Sequence, residues 1–296
     1  MTVTLLKTDC GRCRLLAMTL IILFFLVFSS MAASGKDKGQ FEQLKKRLIA
    51  DGFAKDRINR LYVHPDVFFE TRGVTQYFMH NESRLNYDQF ASRKFIKKAR
   101  KYMAEHKDAF ARSEKKYGVD KEVITAIILV ETKLGTYLGS KSIINSLSTM
   151  AALSGSGPRE YLWNQIPGDR RITRKEFDKK ANQKANWAYR ELKAFLTYSE
   201  REKIEAADVI GSYAGAVGIA QFMPTNILAL AKDGNEDGRV DLFNHADAIS
   251  SIASYLKHYG WKPGINKKKA YKVIYHYNHS KYYVKTILKI SDLLKG

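Results

Sequence analysis

The chain is poor in cysteine. Of its 296 residues only Cys10 and Cys13 are cysteines, and both lie near the start. A disulfide framework is therefore excluded for everything that follows residue 13. The C-x-x-C spacing of this pair is typical of metal or redox sites, but a second pair of ligands is missing. The sequence thus predicts neither a structural zinc site nor a disulfide-stapled domain.

The chain also lacks an apolar run of the roughly 20 residues that cross a bilayer. Three basic residues precede an apolar run of 14 residues, 15–28, and small residues follow at 29–34. This layout is typical of a secretory signal. We expect residues 1–33 to be a signal peptide and the mature protein to be exported to the periplasm. Counted to Ala33 the run has 19 residues, so an uncleaved inner-membrane anchor, with membrane association through this segment, is the alternative.

Acidic residues are few beside basic ones, 30 against 50, which gives a net charge of +20. Residues 1–33 hold three basic residues and Asp9, a net +2, which leaves +18 on the mature part. Such a charge favours a polyanionic partner. Wall polymers and anionic membrane surfaces are the expected partners of an exported protein. Nucleic acid is not expected, because no stacking motif such as RNP1 is present.

No alternating strand pattern and no internal repeat occurs, and 45% of the residues are hydrophobic. Apolar residues recur at helical spacing along most of the chain, which predicts a mainly α fold. We divide it into an N-terminal helical region, 34–118, and a core, 119–296. The irregular pattern from Val67 to Tyr87 predicts an extended segment that wraps the core. Residues 154–183, with glycines, prolines and charges together, predict a small irregular insertion.

The stretch from Val119 to Gly135 predicts a buried helix. Asp120 is a good N-cap, and from 123 to 130 every residue but one is apolar, so no face is left for water. Glu131 falls on the apolar stripe of this helix, three, four and seven residues after isoleucines. Burial disfavours the ionised carboxylate and raises its pKa, as a general acid requires. The alternative is that Glu131 merely ends the helix and faces solvent.

Two further segments are distinctive. Residues 211–224 are rich in alanine and glycine and carry Gln221 as a polar side chain within an apolar run, and residues 277–280 read Tyr-Asn-His-Ser. Together with 126–132, these segments resemble lytic murein transglycosylases of the membrane-bound B type. The resemblance implies a lysozyme-like α core of the goose or SLT kind. It covers the chain from about residue 87 to 288, except the insertion.

The resemblance also implies an activity and a site. The family cleaves the β-1,4 bond between N-acetylmuramic acid and N-acetylglucosamine in peptidoglycan and leaves 1,6-anhydromuramic ends, with no cofactor required for the chemistry. Glu131 matches its single catalytic acid/base, and Ser212 matches a serine that hydrogen-bonds this glutamate. The remaining matches line the sugar sites or close over the muramic residue: Gln221, Phe222, Met223, Tyr277 and Asn278.

Two other functions stay open at this point. A catalytically silent wall-binding module would use the same groove and the basic surface. A lysozyme-type hydrolase would need a second carboxylate, for which Asp208 and Glu160 are the candidates.

Residues 233–244 follow the calcium-loop template at positions 1, 3, 5, 6 and 9. They predict a weak structural calcium site. The family that the chain resembles has members with an EF-hand-like calcium site at this place, which agrees with the prediction. Position 12 is Asn244 instead of a bidentate glutamate, and Asp247 is the residue close enough to compensate. An Asx-rich turn without an ion is the alternative. The expected ligands are Asp233, Asn235, Asp237 and Asp241.

Overall fold

A computed structural model describes residues 39–79, 87–167 and 172–296. These residues form thirteen α-helices, two 3₁₀ turns and one two-stranded sheet. The helices are α1 (Glu42–Ala50), α2 (Lys55–Val63), α3 (Thr71–Met79), α4 (Arg93–Glu105), α5 (Lys107–Tyr117), α6 (Lys121–Thr132), α7 (Ile143–Ala152), α8 (Ser156–Gln165), α9 (Arg174–Arg201), α10 (Pro224–Leu230), α11 (His245–His258), α12 (Lys267–Tyr277) and α13 (Lys281–Lys295).

Helix α6 runs through the core, as its sequence predicts. Ile124, Ile127 and Ile128 are fully buried, and α13 packs along this helix while α9 packs along α7. Asp120 is the N-cap residue of α6, but its side chain caps no backbone N–H. It forms an ion pair with Lys295 at 3.2 Å instead. The buried stripe therefore positions α6, with the C-terminal helix holding its first turn.

The small sheet joins two distant parts of the chain. Strand β1 (Lys141–Ser142) pairs antiparallel with β2 (Ile210–Gly211), with Lys141 opposite Gly211. The connection between α6 and α7 is thereby fixed against the segment that begins at Ser212. Both segments belong to the site described below.

Two sequence predictions about irregular segments need correction. Residues 71–79 form α3, where an extended segment was expected, because Glu70 accepts the N–H of Gly73 and starts the helix. Residues 154–183 contain all of α8 and the first ten residues of α9. Pro158 falls in the first turn of α8, where no N–H is needed, and a capping box at Thr173 starts α9.

Within the described ranges, no helix is long and apolar enough to cross a membrane. The predicted signal peptide or anchor, residues 1–33, lies outside those ranges.

Candidate active site

Glu131 lies in the last turn of α6, and the backbone after it turns sharply. Lys133, Leu134 and Gly135 all adopt left-handed φ angles, 50°, 65° and 79°. The buried hydroxyl of Thr132 holds this turn, since it accepts the N–H of Gly135 at 3.1 Å and lies 3.2 Å from the carbonyl oxygen of Ile219. The end of α6 is thus tied to the 211–224 segment, and Glu131 has little freedom to move.

The carboxyl group of Glu131 is desolvated and accepts one hydrogen bond from the part of the chain that the structure describes. Burial raises the pKa of Glu131 from 4.5 to about 7, while a hydrogen bond from Tyr283 lowers it in part. The hydroxyl of Tyr283 donates to Oε1 at 2.7 Å. Burial first, and then the charge of Glu131, raise the pKa of Tyr283 well above its usual value, so it stays a donor. The carboxyl group can therefore hold a proton near neutral pH and can also exist as a stabilised carboxylate.

Tyr283 is a site residue that the sequence reasoning missed. Its helical position and its 1% exposure are those of an ordinary core residue. The available signal was its hydroxyl, because a buried tyrosine usually has a hydrogen-bond partner where a phenylalanine needs none. Ser280 caps α13 by accepting the N–H of Tyr283, which fixes the tyrosine in the first turn of the helix.

A cavity of about 240 Å³ opens in front of Glu131. Its walls come from α3, from the connection between α6 and α7, and from the 211–224 segment. Among the described residues that line it, Glu131 is the one carboxylate and Lys141 the one cation. The lining residues are Gln76, Glu131, Tyr137, Gly139, Ser140, Lys141, Gly211, Ser212, Tyr213 and Gln221.

The floor of this cavity depends on a close backbone approach. Gly139 has a φ of +95°, and a Cβ there would lie only 2.0 Å from the carbonyl oxygen of Gly211. Any side chain at 139 would push the two cavity walls apart.

Ser212 lines the cavity with Glu131, but its hydroxyl has other partners. The Oγ atom accepts the N–H groups of Ala214 at 3.3 Å and Ala216 at 3.0 Å. These two bonds use the lone pairs of Oγ and not its O–H, so they let the serine shape the turn that carries it, and the expected Ser212–Glu131 hydrogen bond stays a prediction. Gln221 also lines the cavity, with its amide donating to the carbonyl of Gly218 at 2.8 Å.

The other predicted sugar-binding residues are not among the residues that line the cavity. Phe222 is 2% exposed and packs on the ring of Tyr277 at a centroid distance of 5.9 Å. Tyr277 stacks on Tyr283 at 6.5 Å, with ring planes 5° apart. Met223 is the N-cap residue of α10, and Asn278 is the C-cap residue of α12. In this geometry Phe222 and Tyr277 support Tyr283, and the predicted sugar contacts of these four residues remain predictions.

Neither candidate for a second catalytic acid lies in the cavity. Asp208 is exposed. Glu160, on α8, forms an ion pair at 2.7 Å with Arg174, the first residue of α9. Both are absent from the lining of the cavity.

The 233–244 loop is closed by its own backbone amides. Asp233 accepts the N–H groups of Glu236 at 2.6 Å and Gly238 at 2.7 Å. Asn244, at position 12, caps α11 by accepting the N–H of Ala246. Buried Asp247 ties the loop from inside by accepting the N–H groups of residues 234, 235 and 241.

The predicted calcium ligands are therefore only partly suited to a cation. In the ranges that the structure covers, no group of three His, Cys, Asp or Glu side chains is placed to hold a metal ion. Asp237 and Asn235 are bonded to each other at 2.8 Å, and Asp241 accepts the N–H of Phe243 at 2.9 Å. This arrangement is closer to the Asx-rich turn than to a preformed ion site.

Comparison with known proteins gives one family. Residues 36–269 match the family described as Transglycosylase SLT domain. The chain is 33% identical over 160 residues to membrane-bound lytic murein transglycosylase B of Escherichia coli (strain K12). That match covers 54% of this chain and 37% of the relative, so the chain spans well under half the length of this curated relative.

Solved structures share the fold. Soluble lytic transglycosylase SltB1 of Pseudomonas aeruginosa is similar at a TM-score of 0.69 and 23% identity, over 85% of this chain and 97% of that one. SltB3 of the same organism, solved with NAG-NAM-pentapeptide, is similar at a TM-score of 0.67 and 20% identity, over 88% of this chain and 80% of that one. Slt35 of Escherichia coli, solved with calcium, is similar at a TM-score of 0.68 and 20% identity, over 86% of this chain and 92% of that one. The predicted mainly α, lysozyme-like fold is thereby confirmed.

Proposed function

Because the chain belongs to the Transglycosylase SLT domain family, we propose that it is a lytic transglycosylase of peptidoglycan, with Glu131 as its single acid/base. The bond cleaved is the β-1,4 link between N-acetylmuramic acid and N-acetylglucosamine. The observation that carries this proposal is the isolation of Glu131: it is the one carboxylate among the described residues that line the cavity, and burial raises its pKa to about 7.

A single carboxyl group suffices when the substrate supplies its own nucleophile. Glu131 gives its proton to the glycosidic oxygen, and the bond from muramic C1 to that oxygen breaks. The resulting carboxylate then takes the proton of the muramic C6 hydroxyl, whose oxygen bonds to C1 and closes a 1,6-anhydro ring. The glutamic acid is regenerated and no water is consumed. Ordinary glycosidases need a second carboxylate for the nucleophile or for water.

Tyr283 has a defined part in this cycle. Its hydrogen bond favours the carboxylate form of Glu131, which exists only between the two proton transfers. The tyrosine therefore limits how far burial raises the pKa and keeps the second step accessible. It acts through Glu131 and is a positioning residue.

The experiment that tests the proposal uses purified murein sacculi. Wild-type protein is expected to release fragments that end in 1,6-anhydromuramic acid, and Glu131→Gln is expected to lose turnover by on the order of 100-fold or more while still binding sacculi. Products with reducing ends, together with an inactive Asp208→Asn variant, would establish a hydrolase. A wild-type protein that binds sacculi but releases nothing would establish the wall-binding module.

We also propose calcium as a weak structural ion at the 233–244 loop, without a part in the chemistry. Slt35, which shares the fold, has been solved in complex with calcium. The loop retains three aspartates at expected ligand positions, Asp233, Asp237 and Asp241, within nine residues. Because Asn244 is committed to capping α11, we expect an affinity of about 10⁻⁴ to 10⁻³ M.

Export to the periplasm is part of the same proposal. The relative from Escherichia coli is named as membrane-bound, and peptidoglycan lies outside the inner membrane. The basic composition, with 50 basic and 30 acidic residues, suits a protein that works beside anionic wall polymers and lipid surfaces.

A further inference from the structure

Lys141 is the one cation among the described residues that line the cavity of Glu131. Its backbone belongs to β1 and is paired with Gly211, the residue before Ser212. The lysine therefore has a fixed place at the cavity wall. Its side chain is 31% exposed and lines the cavity, so it is accessible to a ligand there.

Glu70 holds the ammonium group in that place. Its Oε2 atom lies 3.3 Å from Nζ of Lys141, and its side chain is only 9% exposed. Its other oxygen accepts the N–H of Gly73 at 2.9 Å at the start of α3, and its own N–H donates to Thr149. The glutamate is thus anchored to α3 and α7 before it meets the lysine.

The ion pair leaves the lysine with donors to spare. An ammonium group has three N–H donors, and the described residues offer it one partner, Glu70. A lysine that only tied α3 to the sheet would need no contact with the cavity. Lys141 instead presents a positive charge at the wall of the site, beside the proposed catalytic acid.

The proposed substrate has one kind of charged group that such a lysine could recognise. N-acetylglucosamine is neutral, whereas muramic acid carries a lactyl ether whose carboxyl group is either free or linked to a stem peptide with carboxylates of its own. Chitin has the same β-1,4 backbone of N-acetylated sugars without that ether. A cation in the cavity therefore separates murein from chitin.

We propose that Lys141 is a specificity residue that binds a carboxylate borne by the muramic residue and so selects murein over uncharged glycans. This inference rests on the proposed function, since it assumes a glycan in the cavity. The carboxylate can be that of the lactyl group or one of the stem peptide. Glu70 orients the ammonium group and sets its position along the glycan.

The experiment measures binding in the Glu131→Gln background, where the absence of turnover is an advantage. Four tetrasaccharides are compared by calorimetry: murein fragments with intact stems, fragments with amidated stem carboxylates, fragments whose stems have been removed to leave the lactyl carboxylate, and chitotetraose. The second substitution is Lys141→Gln. Lys285→Gln, which removes an exposed lysine of α13, is the matched control for net charge.

Lys141→Gln is expected to weaken binding of carboxylate-bearing fragments about tenfold, as for loss of a hydrogen bond to a charged group, and to leave chitotetraose unchanged. The fragment class that loses affinity identifies the carboxylate. Equal loss on chitotetraose would make Lys141 a structural tether and overturn the proposal, and so would unchanged affinity for every fragment. If Lys141→Gln fails to fold, the fragments alone decide, and an affinity that changes neither on amidation of the stem carboxylates nor on stem removal would overturn the proposal.

These readouts are separate from the proposed activity. A wild-type protein that forms no anhydro products would refute the transglycosylase, while the fragment affinities would still show whether Lys141 reads a carboxylate.

Discussion

Replacing Glu131 by glutamine should make the protein more stable at alkaline pH while it removes activity. Burial raises the pKa of Glu131 from 4.5 to about 7. Relative to an unfolded chain with an ordinary glutamate, the folded state is favoured while the group is protonated, fully so below pH 4.5. That advantage is lost as the pH rises through about 7. Above pH 7 the wild type carries an ionised, desolvated carboxylate, and the glutamine variant does not.

The size of the effect follows from the pKa. At about 1.4 kcal/mol for each pKa unit, the change from 4.5 to about 7 corresponds to about 3 kcal/mol at most. Contact of the carboxyl group with water in the cavity makes this free-energy difference smaller. For a chain of this size we expect a rise in Tm of about 5 °C for Glu131→Gln at pH 8 and little change at pH 4.5.

Thermal unfolding of wild type and variant at both pH values measures this difference. Glu122→Gln is the matched control, since it makes the same chemical change in the first turn of the same helix. There a carboxylate is favoured by the helix dipole, so the control should lose a little stability at pH 8. A Glu131→Gln variant that is no more stable than wild type at pH 8 would refute the desolvation argument.

Three further predictions concern the hydrogen bond, the second acid and the loop. Tyr283→Phe removes the hydrogen bond that lowers the pKa of Glu131, so kcat should fall and the alkaline limb of the pH profile of kcat/KM should move to higher pH. The control is Tyr277→Phe, which removes a hydroxyl that donates to the carbonyl of Ala220 and should leave that limb in place. An unmoved limb in Tyr283→Phe would count against the bond. Asp208→Asn should keep most activity on sacculi, because Asp208 is exposed and outside the cavity. Millimolar calcium should raise the Tm of wild type but not of Asp233→Ala; identical melting curves of wild type with calcium and with a chelator would exclude the metal site.

The sequence predicted the elements that a buried stripe determines. Helix α6 has only one possible environment, because Val123 to Val130 leaves no face for water. The same spacing placed Glu131 on the apolar stripe of that helix. The extended segment expected at 67–87 was wrong at 71–79 for the opposite reason, and its residues 80–86 lie outside the described ranges. Helix α3 is started by the side chain of Glu70 and packed against α7 and α8, and neither contact is visible in its local pattern.

Side-chain partners across the chain were the least predictable part of the site. The bond between Tyr283 and Glu131 joins residues 152 positions apart, and the Lys141–Glu70 pair joins residues 71 positions apart. Periodicity places a residue on a face but does not say which face it will meet. The resemblance supplied Ser212 as a partner of Glu131, and local pattern did not show that its oxygen also accepts the amides of the turn at 212–216.

The arrangement around Glu131 supports the proposal that one carboxyl group serves first as acid and then as base. Complete burial would keep the group protonated and make the second step costly, whereas full exposure would ionise it before the first. Tyr283 opposes burial with a single hydrogen bond, and Phe222 and Tyr277 pack behind it without a charge that would disturb the balance. A pKa near the working pH favours both proton transfers. The tyrosine therefore steadies the two protonation states of Glu131, while the task of a hydrolase's second carboxylate falls, in the proposed reaction, to the muramic C6 hydroxyl.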